Sequence, residues 1–465
     1  MLKQSSTEAV LPDPVSPNFN PSKKLRILLL SPRGPLYRHR GGIWKKSMRY
    51  APLTLTTLAS LVPEEINAEI RAIDEGIDQI EPDKLDADLV GISAITGTSP
   101  RAYDIAAQFR KRDIPVVLGG VHPTLVPDEA QQKADAIVVG YAEESWPQLL
   151  RDFVAGRMQK RYDQNPSLSL ADLPFPKREM FNTSLVNVAH TIEATRGCIY
   201  QCEFCVVPAA WGRPLQKPVA DVVADIRQMR AKRLIFLDLN LIADVDYAKE
   251  LFTALIPLKI KWGGLATTTI AWDDELLDLA ARSGCRGLLL GFESLSQESL
   301  REAQKAFNMR RDYHYVVRQL HDRGIAIMGC FVFGFDHDNL DTFDETVEFV
   351  MESKIDLPRY AIMVPFPGTA LFRRLKAEGR ITTENWSLYD GQHVVYQPRQ
   401  MTPDELLLNT GRAWKKTYSY SSMIKRLAGS RTQLPVAVSA NLGYRFYAYH
   451  LDKFYTCDWQ LGLQS

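Results

Sequence analysis

The chain contains the stretch Gly197-Cys198-Ile199-Tyr200-Gln201-Cys202-Glu203-Phe204-Cys205, in which three cysteines have the spacing CxxxCxxC. Cysteine thiolates grouped in a short loop are the usual ligands of iron–sulfur clusters. A four-iron cluster has four corners, so three cysteines leave one iron without a protein ligand. An open coordination position is what a metal site needs in order to bind a substrate. The stretch therefore predicts a reactive iron–sulfur cluster.

A structural zinc site is the alternative interpretation of these cysteines. Such a site needs CxxC pairs and a fourth Cys or His ligand. The chain has no second pair, because Cys285, Cys330 and Cys457 are isolated in sequence. Cys285 and Cys330 stand in apolar runs, where a lone cysteine is usually a small buried hydrophobe. Ligand number and spacing therefore favour the cluster.

The composition bounds the class of protein. A chain of 465 residues is long enough for two or three domains, and 45% hydrophobic residues is ordinary for a globular protein. Lys and Arg number 56 against 55 Asp and Glu. This balance argues against a general nucleic-acid binder, which relies on a large positive field. The expected partner is a small-molecule substrate.

The sequence also bears on location. Residues 1–22 are rich in Pro, Ser and Asn without an apolar core, so we predict a disordered tail rather than a secretion signal. No apolar run approaches the roughly 20 residues of a transmembrane helix. Six cysteines, three of them clustered, suit a reducing compartment. We predict a cytoplasmic protein and leave peripheral membrane contact open.

Residues 23–155 alternate between short apolar strands and helices, which predicts an α/β domain with a doubly wound, Rossmann-like parallel sheet. Ligands of such sheets bind at the carboxyl ends of the strands. Two strands end in polar or glycine-rich segments that supply candidate ligand contacts: Ser93, Thr96, Gly119, Gly120 and His122. An ordinary strand-to-helix turn is the alternative for the Gly pair. The basic run Arg33 to Arg49 is either a solvated loop or part of the same site.

Residues 156–188 are polar and punctuated by prolines, as in a linker, and residues 189–385 contain six further strand–helix units. Six units predict a partial (β/α)6 barrel with its site at the carboxyl ends of the strands. Four polar residues follow barrel strands and are candidate contacts: Asp238, Asn240, Glu293 and Ser294. Residues 386–465 are dense in aromatic side chains, which predicts a mainly helical C-terminal cap.

The cysteine motif resembles the signature of the radical S-adenosylmethionine (SAM) superfamily, CxxxCxΦC, in which Phe204 is the aromatic residue before the last cysteine. The resemblance implies a [4Fe-4S] cluster on Cys198, Cys202 and Cys205, with SAM chelated to the open iron. Reductive cleavage of SAM then releases a 5′-deoxyadenosyl radical. The resemblance further implies that Phe204 and the strand-end residues named above, Glu293 foremost, contact the cofactors.

The preceding domain resembles the cobalamin-binding domain of one large radical SAM class. Ser93-Ala94-Ile95 and Gly119-Gly120 stand in the places of the two elements that enclose the cobalamin nucleotide tail. The third element, Asp-x-His-x-x-Gly, is missing, and Ser31-Pro32-Arg33-Gly34-Pro35 follows the first strand instead. We therefore expect cobalamin without a histidine on cobalt, or a domain that has lost cobalamin. A branched side chain at Gly120 is expected to expel the tail.

The resemblance as a whole implies a cobalamin-dependent radical SAM methyltransferase that methylates an unactivated carbon of a small molecule, such as a lipid or pigment. An electron donor such as flavodoxin or ferredoxin is the implied partner. One alternative keeps both cofactors but performs cyclisation, rearrangement or oxidation. Another, of a different class, is a non-enzymatic iron–sulfur or cobalamin binding module. No spacing selects a catalytic acid or base.

Overall fold

A computed structural model of the chain describes residues 23–33, 51, 53–76, 78–181, 190–309, 312–428, 432 and 434–451. The predicted tail over residues 1–22 lies outside the described residues. So do the predicted basic loop from residue 34 onward and residues 182–188 of the predicted linker.

A six-stranded sheet forms the first half of the chain. Its strands are β1 (Leu25–Ser31), β2 (Ala68–Asp74), β3 (Leu89–Ser93), β4 (Val116–Gly119), β5 (Ala136–Val139) and β6 (Arg161–Asp163). They lie in the order β2-β1-β3-β4-β5-β6, and every neighbouring pair is parallel. Buried on both faces, a parallel strand reads as a continuous apolar run, as LRILLLS of β1 does.

Helices cover both faces of this sheet. They are α1 (Thr54–Ser60), α2 (Ser99–Arg110), α3 (Val121–Leu125), α4 (Pro127–Lys133) and α5 (Ser145–Val154). One apolar core joins the sheet to α2 and α4, and a second core on the other face joins it to α1 and α5. This is the doubly wound arrangement, with loops and glycines gathered at the carboxyl edge.

A second six-stranded parallel sheet follows. Its strands are β7 (Thr191–Ile192), β10 (Arg233–Phe236), β11 (Lys261–Ala266), β12 (Cys285–Glu293), β13 (Ala326–Phe333) and β14 (Leu357–Ile362). The order is β14-β13-β12-β11-β10-β7, so each strand pairs with the next of the sheet along the chain. A short antiparallel pair, β8 (Thr195–Arg196) and β9 (Leu215–Gln216), lies beside it.

Helices alternate with these strands. They are α6 (Val206–Trp211), α7 (Val219–Met229), α8 (Val245–Leu255), α9 (Asp274–Arg282), α10 (Gln297–Glu302), α11 (Tyr313–Asp322), α12 (Thr342–Ser353) and α13 (Ala370–Ala377). Sequentially paired parallel strands with intervening helices form a partial barrel, whose carboxyl rim carries the loops.

Three helices close the described chain: α14 (Pro403–Thr417), α15 (Tyr420–Leu427) and α16 (Leu434–Ala448). They pack beside β14 and α12, and their apolar side chains join the core of the barrel. Across the described residues, none of the helices is both long enough and apolar enough to span a lipid bilayer.

The predicted fold class is confirmed: two α/β domains with parallel sheets, the second a partial barrel. All six predicted barrel strands are present. Two features were missed in the first half. Strand β6 lies within the segment predicted as linker and extends the first sheet, and α3 and α4 fill the chain between β4 and β5.

Candidate functional site

The cysteine loop, residues 197–205, directly follows β7 and β8 at the carboxyl end of the barrel. Cys198, Cys202 and Cys205 are half-buried free thiols. Burial raises the pKa of the Cys202 thiol to about 12 and also raises the pKa of Cys205. Both thiols are therefore protonated near neutral pH unless a metal centre stabilises the thiolate.

In the described part of the chain, no three His, Cys, Asp or Glu side chains are arranged to hold a metal ion. A structural zinc site needs four ligands that converge tetrahedrally on one ion. A four-iron cluster has a different requirement, because each thiolate binds a separate iron. The three free thiols of the cysteine loop could supply one such ligand each.

Residues between the last two cysteines anchor the loop to the barrel. Glu203 accepts a 2.7 Å hydrogen bond from Nε of Arg374, and its amide donates to the Ala303 carbonyl at 3.1 Å. The ring of Phe204 lies edge-on to Phe335 with 6.2 Å between centroids. Phe204 thus packs against the barrel core, and its predicted cofactor contact remains a proposal.

Arg374 is the centre of a buried charge network that sequence analysis missed. Its guanidinium also contacts Glu302 at 2.9 Å and Asp336 at 2.8 Å, and Arg380 contacts Asp336 at 2.6 Å. Burial opposes ionisation of Asp336, but the bonds from the two arginines outweigh it and lower the pKa of that carboxyl. The network fixes the cysteine loop to α10 and α13.

Asp238 follows β10 and is completely buried beneath the start of the cysteine loop. Its carboxylate accepts hydrogen bonds from the amides of Ala194, at 3.1 Å, and Thr195, at 2.5 Å. The Thr195 hydroxyl donates to it at 2.8 Å. Burial, assisted by the charge of Glu193, raises the pKa of Asp238 to about 7. The carboxylate therefore positions the chain that leads into the cysteines.

Asn240 links the same rim to a cysteine. Its Nδ2 donates to Sγ of Cys198 at 3.7 Å. Its Oδ1 is buried and has no hydrogen-bond partner among the described residues. An N–H donor on a cysteine sulfur is a standard means of tuning an iron–sulfur cluster. The free oxygen leaves Asn240 one acceptor for a further ligand.

Glu293 ends β12 with a φ of +63°, in the left-handed region that side chains rarely adopt. Its Oε1 accepts a 2.5 Å hydrogen bond from Nζ of Lys305, which also donates to the Gly291 carbonyl at 3.0 Å. A Cβ at Gly291 would collide with this ion pair. Strained backbone of this kind clusters at functional sites.

Ser294, the next residue, is buried and its hydroxyl accepts a hydrogen bond from the Ser296 amide at 3.1 Å. It shapes the turn into α10. Lys305 was missed by sequence analysis, since twelve residues separate it from Glu293 and no motif joins them. The charges of both influence the Cys202 thiol, which places the pair close to the cysteine loop.

A cavity of about 330 Å³ lies at the carboxyl edge of the first sheet. Ser93, Gly119 and Gly120, all predicted as site residues, line it. Gly91 and Gly140 line it too, beside apolar side chains such as those of Leu29, Val138 and Trp146. Barrel residues close the remaining side, which puts the cavity between the two domains. A glycine-lined, largely apolar cradle of this size suits the base of a nucleotide.

The two adjacent glycines of this wall differ. Gly120 has a φ of +96°, and a Cβ there would lie 2.8 Å from the Ala94 carbonyl and 2.9 Å from the Ser93 hydroxyl. A Cβ at Gly119 would meet only Val138, at an ordinary 3.7 Å. A side chain at Gly120 would therefore collide with the protein itself, and its effect on the ligand stays a prediction.

His122 and Thr96 do not line the cavity. The His122 ring is completely buried, with Nε2 3.0 Å from the Tyr103 hydroxyl and 3.5 Å from Glu129. Glu129 accepts a 3.1 Å bond from the indole of Trp386, and Nδ1 of His122 lies 3.4 Å from the Thr96 hydroxyl. The cluster joins the first domain to the segment after the barrel.

Arg196 connects the cavity with the cysteine loop, and sequence analysis missed it. Its guanidinium forms ion pairs with Glu143 of the first domain and, at 2.6 Å, with Glu193 of the barrel. The same group lies over the Tyr141 ring at 4.8 Å. The second oxygen of Glu143 is buried without a hydrogen-bond partner among the described residues. Glu143, Glu193 and Arg196 all line the cavity.

The predicted basic loop is described only at Arg33. The Arg33 amide donates to Glu75 at 2.9 Å, and Glu75 is paired with Arg101 at 2.8 Å. The other basic residues of that prediction, together with His39, lie outside the described residues.

Comparisons with known proteins agree with this division of the chain. Residues 192–350 match the Radical SAM superfamily, and residues 49–150 match the B12 binding domain. The first matched region contains the cysteine loop, and the second contains the four glycines that line the cavity.

Several curated proteins are similar over most of the chain. The bacteriochlorophyllide d C-12(1)-methyltransferase of Chlorobaculum tepidum is 30% identical over 81% of this chain and 85% of its own length. The C-8(2)-methyltransferase of the same organism is 30% identical over 80% and 87%. The hopanoid C-2 methylase of Rhodopseudomonas palustris is 26% identical over 72% and 66%.

Two solved structures share the fold. The radical SAM methyltransferase TsrM of Kitasatospora setae superposes with a TM-score of 0.62 at 18% identity, covering 77% of this chain and 78% of TsrM. The cobalamin-dependent SAM radical enzyme OxsB gives 0.65 at 15% identity, covering 92% and 72%. Taken with the relatives at 30% identity, these matches show that the chain is an enzyme of the cobalamin-dependent radical SAM methyltransferase family.

Proposed function

We propose that the protein transfers a methyl group to an unactivated carbon of a small apolar molecule, using SAM, a [4Fe-4S] cluster and cobalamin. One observation carries the proposal. The cysteine loop and the glycine-lined cavity adjoin at Arg196, which stands two residues before Cys198 and also lines the cavity. Two cofactors held at these places would face one another across the domain boundary.

Cys198, Cys202 and Cys205 would hold the cluster, leaving one iron for SAM. Asn240 would donate to a cluster sulfur and offer its free oxygen to SAM. Glu293 and Ser294 lie on the same rim, and Glu293 would accept hydrogen bonds from SAM while Lys305 balances its charge. Asp238 would act as a positioning residue, because its oxygens are engaged by the loop backbone.

The cavity would hold the nucleotide tail of cobalamin. Ser93 and Gly119 would contact it along the strand ends, and the unpaired oxygen of Glu143 would accept a hydrogen bond from it. Gly120 would allow the close turn that shapes the wall.

When bound, the cluster and SAM supply hydrogen-atom abstraction, and cobalamin supplies the methyl group. The protein's contribution is position and exclusion of water. The Arg374 network holds the cysteine loop, and Arg196 fixes the first domain against it. Both arginines form ion pairs whose groups are at least half-buried. These pairs resist separation because it would leave an uncompensated charge.

We propose a tetrapyrrole as the substrate class. Support comes from the two bacteriochlorophyllide methyltransferases, which are the more similar of the relatives named above. A polycyclic lipid is the second candidate, supported by the hopanoid methylase. A flat tetrapyrrole and a polycyclic lipid both present unactivated C–H bonds on a large apolar body.

The test is anaerobic turnover with SAM carrying a trideuterated methyl group, a chemical reductant and bacteriochlorophyllide d as substrate. The expected product is heavier by one trideuteromethyl group, detected by mass spectrometry. Cys202→Ala should abolish this product, whereas Cys285→Ala, a matched change of a buried core cysteine, should preserve it. If the protein methylates a hopanoid but not the tetrapyrrole, the polycyclic lipid is the substrate class.

A ring-forming reaction is the rival function. The anaerobic magnesium-protoporphyrin IX monomethyl ester cyclase of Rubrivivax gelatinosus is 23% identical over 82% of this chain. The same assay with magnesium-protoporphyrin IX monomethyl ester as the substrate separates the two, since cyclisation consumes SAM without adding the labelled methyl group. Labelled product supports methylation, and SAM cleavage with an unlabelled product supports the rival.

We further propose that a flavodoxin or ferredoxin reduces the cluster and that the protein is cytoplasmic. Reductive cleavage of SAM needs an external one-electron donor, and three clustered cysteines that must stay reduced to hold a cluster suit a reducing compartment. Replacing the chemical reductant by each donor in the turnover assay tests the first of these proposals.

A further inference from the structure

The last described helices carry an unusual charge. Helices α14, α15 and α16 contain six Lys and Arg against two acidic residues, Asp404 and Glu405 at the start of α14, while the whole chain has a formal net charge of +1. The rest of the chain is therefore net acidic. A basic segment of this kind, set on a chain that is close to neutral, creates a local positive field.

The same helices expose large apolar side chains. Those on α15 and α16 are Tyr420, Ile424, Val436, Val438, Leu442 and Tyr449. Ile424 is 70% exposed and Leu442 is 47% exposed. Single exposed apolar residues are normal on a protein surface, but a group on two adjacent short helices is not.

Four residues of α16 and its end share one helical face at spacings of four, three and four: Val438, Leu442, Arg445 and Tyr449. The Arg445 guanidinium lies 3.8 Å from the ring centroid of Tyr420 and 4.3 Å from that of Tyr449. This contact joins the face to α15, where Ile424 lies one turn from Tyr420. Exposed Lys415 is adjacent, since its carbonyl lies 3.5 Å from the Tyr449 hydroxyl.

We call this region the C-terminal surface and define it by Tyr420, Ile424, Val438, Leu442, Arg445 and Tyr449, with Lys415 and Lys425 at its border. On the side facing the barrel, polar contacts hold these helices in place. Buried Arg426 donates to the Ile355 carbonyl at 2.9 Å, and Asn441 donates to the Asp356 carbonyl at 3.0 Å. The exposed face is therefore presented by firmly docked helices.

These contacts also fix where the C-terminal surface lies. Ile355 and Asp356 precede β14, so the surface is at the amino end of that strand. The cysteine loop lies at the carboxyl rim, roughly 20 Å away along a strand of six residues. An electron donor docked on this surface would be remote from the cysteines. A bilayer needs no such proximity.

We propose that the C-terminal surface binds an anionic lipid bilayer, with Ile424 and Leu442 entering the boundary between headgroups and acyl chains. Basic residues around an apolar face are the composition of interfacial helices, and the positive charge complements anionic headgroups. Tyr420 and Tyr449 supply amphipathic rings suited to headgroup depth. Membrane contact would keep the enzyme beside apolar substrates, while leaving the catalytic rim on the opposite side free.

Co-sedimentation with vesicles tests this proposal, using neutral phosphatidylcholine alone or mixed with anionic phosphatidylglycerol. The wild-type protein should bind the anionic vesicles and lose affinity as salt rises. Ile424→Ser combined with Leu442→Ser should weaken binding at least tenfold, because two apolar side chains no longer leave water. Lys415→Glu and Lys425→Glu should each weaken it about fivefold or more. Leu340→Ser, at a comparably exposed leucine outside the surface, should not change it.

Binding to anionic vesicles that is insensitive to the Ile424 and Leu442 substitutions would overturn the proposal, as would no binding at all. A dimer in sedimentation velocity that dissociates in the same double variant would assign the surface to a second copy instead. Each variant must retain wild-type cluster absorbance. The vesicle assay needs neither SAM nor a substrate, so its failure leaves the proposed methyl transfer untouched.

Discussion

Asn240 is the residue whose role can be isolated most cleanly, because it touches Cys198 without ligating iron. Asn240→Leu should keep the cluster but lower its reduction potential, since one N–H donor to sulfur is lost. A net hydrogen bond is worth about 0.5 to 1.5 kcal/mol, which corresponds to roughly 20 to 60 mV for one electron. Redox titration followed by electron paramagnetic resonance measures the shift. An unchanged potential with full iron would remove Asn240 from the cluster environment.

Glu293 and Lys305 form the second residue-scale test. Glu293→Gln keeps the shape of the side chain but removes its charge, so charge-assisted bonds to SAM become neutral ones. We expect the dissociation constant for SAM to rise about tenfold in equilibrium titration. Glu298→Gln, on exposed α10 nearby, is the matched control and should bind SAM normally. Equal affinity in the two variants would show that Glu293 does not contact SAM.

Substitutions at Gly119 and Gly120 distinguish an effect on cobalamin binding from an effect on the stability of the fold. Gly119→Val should abolish cobalamin retention while the protein stays folded, because its side chain enters the cavity and meets only Val138. Gly120→Val should also destabilise the protein without ligand, because φ is +96° and protein atoms occupy the space. Absorbance of bound cobalamin and thermal unfolding measure the two effects. Full cobalamin retention in Gly119→Val would place the tail elsewhere.

Sequence reasoning found some of these residues and missed others for a physical reason. Cys198, Cys202 and Cys205 are set by local spacing, so a motif reveals them. Lys305 pairs with Glu293, and Arg196 pairs with the distant Glu143 as well as with nearby Glu193; no motif encodes the long-range partner of either cation. A paired, buried charge is recognisable only once the strands have brought both partners to one rim.

At the scale of elements, Asp238 couples β10 to the strand that leads into the cysteine loop, and this coupling predicts a pH dependence. The folded pKa of about 7 lies above the ordinary 3.8, so the folded protein holds a proton that the unfolded chain has released. The contribution of Asp238 to the free energy of unfolding therefore falls as pH rises from about 4 to 7, and it is lowest above about pH 7.

Asp238→Asn should flatten that part of the stability profile, because the amide does not ionise. The free energy of unfolding in urea, measured on protein without reconstituted cluster between about pH 4 and pH 7, tests this. Asp246→Asn, at an exposed position on α8, is the control and should follow the wild type. Identical pH slopes for wild type and Asp238→Asn would contradict the assigned pKa.

Strands were predicted well because buried parallel strands are short apolar runs bounded by turn residues. The departures have local causes. The first barrel strand, β7, is only Thr191–Ile192, and the amides of Ala194 and Thr195 bond to Asp238 instead of a neighbouring strand. β6 is a polar edge strand, RYD, and its sequence has no apolar alternation to reveal it.

For the whole molecule, the domain order and both cofactor regions followed from sequence, but their contact did not. The boundary is closed by Arg196 between Glu143 and Glu193, and by Trp386 on Glu129. Neither contact has a sequence signature, because each joins residues from separate domains. We therefore propose that one chain holds two cofactors at the boundary between its two domains.

Metal analysis of the anaerobically reconstituted protein tests whether one chain holds both cofactors. We expect about four iron and one cobalt per chain. Cys202→Ala should lose iron alone, and Gly119→Val should lose cobalt alone. Iron without cobalt in the wild-type protein, or zinc in place of iron, would contradict the proposal that one chain holds both cofactors.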